Sequence, residues 1–594
     1  MSITDPELYF AEDGAPRSGR FGDIYYSLQD GLSEARAVFL TGCGMPEIWG
    51  GRTDFTLLEL GFGTGLNIAA VMELWSKTRP AGGYLHIFSV EGFLMNADEA
   101  ARALGAWPEL REFTGALLAQ WPKARRGFHH MEFPQWGVSL TLGLMDVRAA
   151  LSAWEGAADA VFLDGFSPAL NPDMWGEDVM ALIAARTRPG ASLATFTVAG
   201  FVRRGLQAAG FSVEKRPGFG RKRERLEAIR SGEAVEAKRP GRIAIIGAGI
   251  AGCALYWQAR QLGVSADIFD ASEPGAGASG NPAALVTPRL DAGDNDISAL
   301  FADAFSYAIA LYHRLCPQAI LGEGVRLCAD APKAVERFTR IAGQAGFAAG
   351  DLEVFGKGAA QDLPESEGLH LKTALHVEPQ TVLKALLGGH EPIRERILGY
   401  DRAEDGLIRL KTEDGRSLAG YDRIILACGE GLFDMPEAGP AELRAVRGQV
   451  EQVADKVPLA EGLSWGGYAI PLNDGFLFGA THERNDRASD IRDASRAYNL
   501  ASLSAVMPER AARIAAGPFQ SRASIRVTTR DYLPVAGSVE AGIYLFTGLG
   551  ARGFCLAPLL AKSLLNDIIG VPSVLPRGMK KSLGPERFLR TSNL

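Results

Sequence analysis

Short apolar runs recur along the first part of the chain, each bounded by glycine, proline or polar positions. We predict strands at Phe55–Leu60, Leu85–Glu91, Val138–Gly143, Ala158–Leu163, Ser192–Phe196 and Phe211–Lys215. Helix-forming segments lie between them, and we predict helices at Gly31–Leu40, after Gly65 to about Trp75, near Val179–Arg186 and at Gly200–Ala209. Strands that alternate with helices form a mostly parallel, doubly wound sheet. The first part is therefore expected to be a Rossmann-like α/β domain.

The same alternation begins again in mid-chain. Arg242–Ile246 is a short apolar strand, Ala251–Leu262 contains good helix formers, and Ser265–Phe269 is a second strand. Further helices are predicted at Thr381–Leu387 and Ala557–Ile569. Further strands are predicted at Arg423–Gly429, Gln449–Val453, Gly467–Pro471 and Gly475–Gly479. Roughly residues 290–530 are expected to hold an inserted mixed sheet.

The length of the chain sets the number of domains. At 594 residues it exceeds the size of one ordinary core, so two or three domains are expected. Because a strand–turn–helix unit typical of an N-terminus begins at Arg242, a complete domain must precede it. The polar segment 231–241 is the expected linker, which gives domains at 1–230 and 242–594.

Composition and charge exclude several classes of protein. A hydrophobic content of 47% and a charged content of 22% are those of a soluble globular protein. The net charge of −8 gives no global preference for nucleic acid. Met1–Phe10 has no apolar core, and no run of eighteen apolar residues is present, so neither a signal peptide nor a membrane span is expected. The sequence indicates no particular oligomeric state.

The cysteines point to the reducing cytoplasm rather than to a stabilising cross-link. They are scattered without C-x-x-C pairs, which argues against a disulfide framework and against a zinc site. The positions are Cys43, Cys253, Cys316, Cys328, Cys428 and Cys555. We expect a cytoplasmic protein with no metal and no membrane partner.

A nucleoside site is predicted at the first sheet. Its glycines, Gly61, Gly63 and Gly65, follow a strand and permit close approach of the backbone to a ligand. Four acidic residues, Glu59, Glu91, Asp146 and Asp164, lie at or near the strand ends, where such sheets bind ligands. Glu91 is suited to a ribose diol and Asp146 to an adenine amino group. No Lys-Ser/Thr follows the glycines, so this is not a P-loop.

These features resemble the class I S-adenosylmethionine methyltransferases over roughly residues 50–215. In enzymes of this class that methylate amines, a carboxylate or amide followed by proline and an aromatic often occurs where this chain has Asp164 and the loop to Trp175. The resemblance implies that Asp164 binds the amine and accepts its proton. Phe166 or Trp175 would stack on a base; alternatively, the loop is a stiff connection whose Trp175 packs in the core. The aromatic residues of Phe21–Ser27 either approach a site or pack.

A dinucleotide site is predicted at the second alternation. Gly247, Gly249 and Gly252 have the G-x-G-x-x-G spacing, and Asp270 ends the second strand. The first glycine allows the tight turn, the second admits a pyrophosphate and the third lets the helix pack on the strand. The helix N-terminus offers N–H groups to the phosphates, and Asp270 is suited to ribose hydroxyls. The alternative is a glycine-rich turn without a ligand.

The second half resembles the flavoprotein amine oxidases of the D-amino-acid oxidase and glycine oxidase family. The resemblance rests on this fingerprint together with Ser524–Gly537 and Ile543–Leu556. It implies a non-covalently bound FAD, which Gly548, Gly550 and Gly553 approach closely. It also implies that Arg526 and Arg552 clamp a substrate carboxylate, a task suited to a guanidinium. The alternative for both arginines is a surface ion pair.

A basic segment joins the two halves. Lys215–Arg230 holds seven Lys or Arg residues and two Glu residues in a chain that is acidic overall. Such a patch with an aromatic residue suits a phosphate backbone and a stacked base. The candidate nucleic-acid-binding residues are Lys215, Arg216, Phe219, Arg221, Lys222 and Arg223. The alternative is a solvated surface hairpin.

Taken along its whole length, the chain is similar to the bifunctional enzymes that modify the wobble uridine of tRNA. The motifs that carry the similarity are Leu58–Gly65, Phe162–Ala169, Asn171–Trp175, Ala194–Thr197, Gly218–Glu224 and Gly548–Gly553. It implies that the FAD domain converts 5-carboxymethylaminomethyluridine to the primary amine and that the S-adenosylmethionine domain then methylates that amine. An oxidase fused to an N-methyltransferase of free small amines is the alternative. A nucleic-acid-binding module with degenerate sites is a third hypothesis, which intact glycine loops disfavour.

Overall fold

The protein is described by a computed structural model. It describes residues 6–12, 14–26, 31–122, 125–220, 223–233, 239–291, 293, 296–329, 331–343, 347, 350–359, 362–363, 365–435 and 442–591. The chain forms two compact units. The first comprises Met1–Arg239 and Asn566–Arg577, and the second comprises Pro240–Leu565 and Gly578–Leu594.

The first unit is built on an eight-stranded sheet. The strands of this unit, including a small two-stranded sheet formed by the first two, are β1 Leu8–Phe10, β2 Pro16–Ser18, β3 Asp54–Leu60, β4 Tyr84–Glu91, β5 Gly127–Phe133, β6 Val138–Leu144, β7 Ala158–Leu163, β8 Thr187–Thr195, β9 Phe211–Pro217 and β10 Glu224–Arg230. The order across the large sheet is β5-β6-β4-β3-β7-β8-β10-β9. Its five central strands are parallel, and β5, β9 and β10 are antiparallel to their neighbours.

Helices cover both faces of this sheet. They are α1 Gly31–Ala35, α2 Leu66–Thr78, α3 Ala97–Leu104, α4 Arg111–Ala119, α5 Val147–Ala153, α6 Glu177–Ala185 and α7 Gly200–Ala208. A π-helix, Arg36–Thr41, continues α1. In β3, Phe55 and Leu57 belong to the core on one face, whereas Leu58 and Leu60 belong to the core on the other. A strand buried on both faces reads as a continuous apolar run, which is why the sequence predicts it.

The second unit contains a parallel sheet, a large mixed sheet and a small antiparallel sheet. Its strands are β11 Ile243–Ile246, β12 Ala266–Asp270, β13 Ala284–Val286, β14 Ile320–Cys328, β15 Leu352–Phe355, β16 Gly368–Val377, β17 Ile393–Arg394, β18 Ile397–Arg402, β19 Ile408–Thr412, β20 Ser417–Tyr421, β21 Arg423–Leu426, β22 Leu443–Ala454, β23 Gly462–Ser464, β24 Tyr468–Leu472, β25 Gly475–Gly479, β26 Glu483–Arg484, β27 Phe519–Thr529, β28 Val535–Glu540 and β29 Ile543–Thr547.

The six-stranded sheet has the order β17-β12-β11-β21-β29-β28 and is parallel apart from β28. Strand β29, which directly precedes helix α14, therefore lies in the same sheet as β11. The ten-stranded mixed sheet includes β22, β24, β25 and β27 and corresponds to the insertion expected between roughly 290 and 530. The small sheet is β18-β19-β20.

The helices of the second half of the chain are α8 Ile250–Gln261, α9 Asp296–Leu315, α10 Pro332–Ala342, α11 Pro379–Leu387, α12 Asp493–Val506, α13 Pro508–Ile514, α14 Gly553–Ile569 and α15 Arg577–Leu583. In the part of the chain that the structure describes, no helix is both long enough and apolar enough to cross a bilayer.

Candidate active sites

The first unit has a cavity of about 900 Å³ at the carboxyl ends of its parallel strands. Its walls include Gly61, Gly63, Glu91, Asp146 and Asp164. These side chains come from widely separated positions in the sequence, and the sheet brings them together because parallel strands end at one edge.

The turn after β3 is shaped by glycines in the left-handed region. Gly61, Gly63 and Gly65 have φ angles of 97°, 54° and 80°. A Cβ on Gly61 would lie 2.5 Å from the carbonyl oxygen of Asp164, and one on Gly65 would lie 2.8 Å from Leu117. The turn therefore needs glycine for its backbone angles and for its close packing.

Glu91 lies at the end of β4 and accepts hydrogen bonds from the turn. The N–H of Gly63 donates to its Oε2 at 2.9 Å, and the N–H of Phe93 donates to its Oε1 at 2.7 Å. Burial raises the pKa of Glu91 in spite of these donors. Each carboxylate oxygen retains acceptor capacity beyond one such bond, so the group is suited to hydroxyl donors of a ribose.

Asp146 has a double role in the geometry. Its Oδ1 caps α5 by accepting from the N–H groups of Arg148, at 2.9 Å, and Ala149, at 3.3 Å. A capped carboxylate at a helix start is held in a fixed orientation. It lines the cavity in that orientation.

Glu59 lies elsewhere than the sequence suggested. Its side chain is fully buried in β3 and is not part of the cavity wall. The hydroxyl of Ser89 donates to its Oε2 at 2.5 Å, and burial holds the pKa of Glu59 well above its usual range. Glu59 therefore sits beneath the ligand-binding edge rather than facing a ligand.

Asp164 ends β7 and faces the cavity. Its Oδ1 accepts from the N–H of Gly165 and its Oδ2 accepts from Nδ2 of Asn67, both at 2.9 Å. Trp175, in contrast, is buried in the core, where its Nε1 donates to the carbonyl oxygen of Phe166 at 3.1 Å. Of the two roles considered for Trp175, the structure shows packing.

Aromatic rings form one wall of this cavity. The ring of Phe166 lies 4.9 Å from that of Phe21 and 5.1 Å from that of Tyr25, centroid to centroid. The N–H of Ser167 donates to Asp23 at 2.8 Å, which ties the two segments together. The sequence analysis does not predict the role of Asn67 and leaves the role of the aromatic residues open. Only the aromatic residues had a local signal, the cluster within Phe21–Ser27.

The second unit has a cavity of about 770 Å³ that runs along the glycine turn after β11. Its walls contain most of the residues expected to bind a dinucleotide or its substrate, namely Gly247, Gly249, Asp270, Arg526, Gly548, Gly550, Arg552 and Gly553. Gly252 lies outside the wall. A Cβ on it would lie only 1.7 Å from the carbonyl oxygen of Gly247, so helix α8 packs directly against the turn there.

The cradle for a pyrophosphate is formed at the start of α8. Gly247 has a φ of 108°, and a Cβ on it would lie 2.6 Å from the carbonyl oxygen of Ala427. The N–H of Ala248 donates to Oδ2 of Asp270 at 2.6 Å, and the N–H of Ile250 donates to the hydroxyl of Ser279 at 3.0 Å. Burial raises the pKa of Asp270.

The late glycine run brings a second helix start to the same cavity. Gly548 and Gly550 have φ angles of 74° and 56°. A Cβ on Gly553 would lie 2.9 Å from the side chain of Ile250, so α14 begins in direct contact with α8. Both helices thus present their positive ends at this cavity.

Two partly buried arginines, Arg526 and Arg552, complete this cavity. Arg526 donates through Nη2 to the carbonyl oxygen of Thr481 at 2.8 Å. Burial lowers the pKa of both Arg526 and Arg552. Among the described residues, no carboxylate lies within 4 Å of either guanidinium. The surface-ion-pair alternative is therefore not observed, and both groups are available to an anion.

Comparison with known proteins identifies both halves of the chain. Residues 108–231 match a family model described as S-adenosyl-L-methionine-dependent methyltransferase, and residues 242–566 match one described as FAD dependent oxidoreductase. The tRNA 5-methylaminomethyl-2-thiouridine biosynthesis bifunctional protein MnmC of Caulobacter sp. (strain K31) is 47% identical, over 99% of this chain and 98% of its own. The chain belongs to the MnmC family. The MnmC proteins of Caulobacter vibrioides and Maricaulis maris are 48% and 39% identical, over 99% and 98% of this chain and 98% and 96% of their own.

Solved structures match the second half. The iminodiacetate oxidase of Chelativorans sp. BNC1 aligns with a TM-score of 0.50 at 21% identity, over 58% of this chain and 99% of its own. A fructosamine oxidase of Aspergillus fumigatus aligns with a TM-score of 0.50 at 14% identity, over 61% and 92%. At these identities the matches show a shared fold.

The MnmC matches confirm the family, the α/β fold class with its two kinds of domain, the two enzyme classes and the two cofactors expected from the sequence. The residues present fit both cofactors. The glycine cradle and the two helix starts suit the pyrophosphate of FAD, and the glycine turn with Glu91 and Asp146 suits S-adenosylmethionine. Among the described residues, no group of three or more His, Cys, Asp or Glu side chains is arranged to hold a metal ion.

The basic segment of this MnmC family member is a β-hairpin of β9 and β10. Lys215 is paired with Glu224 at 2.7 Å, and Arg216 is paired with Glu214 at 2.6 Å. Phe219 is partly buried and packs against the first core. Arg223 is exposed, and the remaining two candidates, Arg221 and Lys222, lie outside the described residues.

Proposed function

We propose that this chain carries out two consecutive reactions at the wobble uridine of tRNA. The first is FAD-dependent removal of the carboxymethyl group from 5-carboxymethylaminomethyl-(2-thio)uridine, which leaves 5-aminomethyl-(2-thio)uridine. The second is methylation of that amine to 5-methylaminomethyl-(2-thio)uridine. Support comes from the MnmC relatives, which align over nearly the whole chain. The protein works in the cytoplasm, with catalytic domains at 1–230 and 242–594 and a linker at 231–241.

The observation that carries the first reaction is the pair of partly buried arginines in the cavity, which have no carboxylate partner in the part of the chain that the structure describes. Arg526 and Arg552 hold the carboxylate of the substrate side chain and so fix the adjacent methylene. Bound FAD supplies a two-electron acceptor, and bound S-adenosylmethionine supplies an electrophilic methyl group. The methylene loses a hydride, the nitrogen lone pair forms a C=N bond, and water cleaves that imine to the primary amine and glyoxylate.

The second reaction depends on Asp164. The incoming aminomethyl group is mostly protonated at neutral pH and must lose a proton before it attacks the methyl group. The carboxylate of Asp164 orients the amine and accepts that proton. Phe166, Phe21 and Tyr25 supply the apolar wall against which the base stacks.

The tRNA backbone binds the β9–β10 hairpin through Lys215, Arg216 and Arg223, together with Arg221 and Lys222. The ion pairs of Lys215 and Arg216 with glutamates are exposed, so they exchange for phosphate contacts at low cost. Phe219 supports the hairpin from the core side.

The decisive experiment is mass analysis of nucleosides from tRNA that carries 5-carboxymethylaminomethyluridine. Incubation without S-adenosylmethionine should give 5-aminomethyluridine, and incubation with it should give 5-methylaminomethyluridine. Free N-alkyl glycines serve as competing substrates in a parallel reaction. Unchanged tRNA alongside consumption of the free amines would replace this proposal with a small-amine oxidase and N-methyltransferase.

A further inference from the structure

Asn67 occupies a fixed position at the edge of the methyltransferase cavity. It is the second residue of α2, which starts directly after the left-handed Gly65. Its side chain is largely buried, it lines the cavity, and its Nδ2 lies 2.9 Å from Oδ2 of Asp164. Because Gly61 packs against the backbone of Asp164, the ends of β3 and β7 cannot shift apart without breaking this contact.

A second carboxyl group, that of Glu59, is buried in strand β3 beneath this edge of the sheet. Glu59 is fully buried and is held by the hydroxyl of Ser89 at 2.5 Å. Burial, together with the negative charge of Asp164, holds the pKa of Glu59 well above its usual range. Of these two carboxyl groups, only that of Asp164 lines the cavity.

We infer that Asn67 is a positioning residue for methyl transfer: its amide orients the carboxylate of Asp164 toward the amine. This inference rests on the proposed function, in which Asp164 receives the amine. An amide is suited to the task because its nitrogen only donates and its charge is constant with pH.

The inference predicts a specific defect for Asn67→Asp. This change keeps the shape of the side chain but replaces the donor with an acceptor while the new carboxyl is ionised, and it repels Asp164. Single-turnover methylation of tRNA bearing 5-aminomethyluridine should be slower by about 10²-fold at pH 8, the cost of a misplaced catalytic group. The ratio of variant to wild-type rate should rise as the pH is lowered, because a protonated carboxyl donates a hydrogen bond again.

The titratable groups around this position are Glu59, Glu91 and Asp164. They are present in both proteins, so a rate ratio that changes with pH reports the new carboxyl together with its effect on these neighbours. Asn96→Asp is the matched control. Asn96 caps α3 by accepting from the N–H of Glu99, and aspartate caps equally well. Its rate ratio to wild type should be flat across the same pH range.

Cofactor affinity separates positioning from binding. By calorimetry, S-adenosylmethionine should bind the Asn67→Asp protein within about threefold of wild type. A rate ratio that stays flat with pH, or a loss of cofactor affinity that matches the loss of rate, would overturn the inference. Should Asn67→Asp fail to fold, Asn67→Ala replaces it; it should be slow at every pH, with cofactor affinity retained, and a wild-type rate would overturn the inference.

Failure of the underlying function has a different signature. If the wild-type chain forms no methylated nucleoside, the proposed function itself fails. If Asp164→Asn methylates as fast as wild type, the role of Asp164 fails, and with it the role of Asn67. A slow Asp164→Asn protein beside a fast Asn67→Ala protein overturns this inference alone.

Discussion

The guanidinium of Arg522 donates to the carbonyl oxygen of Ala276 at 2.7 Å and so ties strand β27 to the glycine-rich loop of the flavin cavity. The same group donates to Gly277 at 2.5 Å and to Oδ1 of Asn281 at 3.0 Å. This loop also contains Ser279, whose hydroxyl meets the N-terminus of α8. Arg526 lies four positions further along the strand, on the same face. One strand thus supports the glycine-rich loop of this cavity and carries Arg526, for which we propose binding of the substrate carboxylate.

We therefore expect Arg522→Met to weaken flavin binding. Hydrogen bonds from a charged group contribute about 1.5–3 kcal/mol each, so losing several of them should reduce affinity for FAD by at least tenfold. Titration of the apoprotein with FAD, followed by flavin fluorescence, measures the change. Arg409→Met, at an exposed position of β19, is the control. Equal affinity for FAD in the two variants would show that the loop holds its shape unaided.

Arg526→Ala and Arg552→Ala should impair oxidation of the carboxymethylaminomethyl substrate far more than tRNA binding. Both guanidinium groups line the cavity and are partly buried, and no carboxylate of the described residues is paired with either of them. Removing one charged hydrogen bond should lower kcat/KM by roughly 10–10²-fold. A substrate analogue that lacks the carboxylate provides the comparison, since it should lose little. Equal losses on the two substrates would mean that the arginines do not contact the carboxylate.

The sequence predicts those parts of the fold whose signals are local. The buried strand β3, the glycine turns and the acids near strand ends follow from adjacent residues. The structure places both glycine turns and the acids Glu91, Asp146, Asp164 and Asp270, but not Glu59, at the two cavities. Strand β10 escaped prediction because charged residues alternate with Leu226 and Ala228, which alone are buried in it. The sequence does alternate between buried and solvent-facing positions there, but with so many charged residues only two apolar positions mark the buried face.

Placement that depends on tertiary packing is not visible in the sequence. Glu59 lies inside strand β3 and Glu91 ends strand β4, and only Glu91 reaches the cavity. Glu59 is in register with Ser89, two positions before Glu91, so it lies on the same face but one pleat further from the strand ends. This difference in depth depends on strand register, which adjacent residues do not specify. Likewise, nothing local indicates that Asn67 meets Asp164, 97 positions away.

We expect the Glu59→Gln substitution to increase the stability of the methyltransferase unit, relative to wild type, by an amount that grows as the pH rises. Burial holds the pKa of Glu59 above its unfolded value, so between the unfolded and folded pKa values the native state binds more protons than the unfolded state. The stability of the wild type therefore falls as the pH rises through that window. Glutamine does not titrate, so the difference in thermal midpoint, variant minus wild type, should grow from pH 5 to pH 8. Calorimetry in the absence of ligands measures it, and a constant difference would mean that Glu59 is ionised in the folded protein.

The β9–β10 hairpin offers two cations that differ in how they are paired. Arg223 is exposed, whereas Lys215 is engaged with Glu224 at 2.7 Å. We expect Arg223→Gln to reduce the slope of log affinity against log salt by about 0.7–0.9, the loss of one phosphate contact. Lys215→Gln should change it less, because Glu224 already neutralises part of the charge of Lys215 in the free protein. Filter binding of tRNA at several salt concentrations tests both variants. An unchanged slope for Arg223→Gln would show that Arg223 makes no phosphate contact and would favour the alternative of a solvated surface hairpin.

Asp164→Ala should strongly slow methyl transfer while leaving S-adenosylmethionine binding nearly intact. Asp164 ends β7 at the ligand edge, and its carboxylate is oriented by the N–H of Gly165 and by Asn67. A group that orients the amine and accepts its proton typically contributes about 10²–10⁴-fold. Single-turnover methylation gives the rate, and calorimetry gives the cofactor affinity.

Glu91→Ala is the matched variant, because it should behave in the opposite way. The carboxylate of Glu91 is braced by the N–H groups of Gly63 and Phe93 and is suited to ribose hydroxyls, so its loss should weaken cofactor binding. Saturating S-adenosylmethionine should then restore much of the rate of Glu91→Ala but none of that of Asp164→Ala. If saturating cofactor rescues Asp164→Ala instead, Asp164 serves the cofactor, and the amine must be received by another group in the cavity.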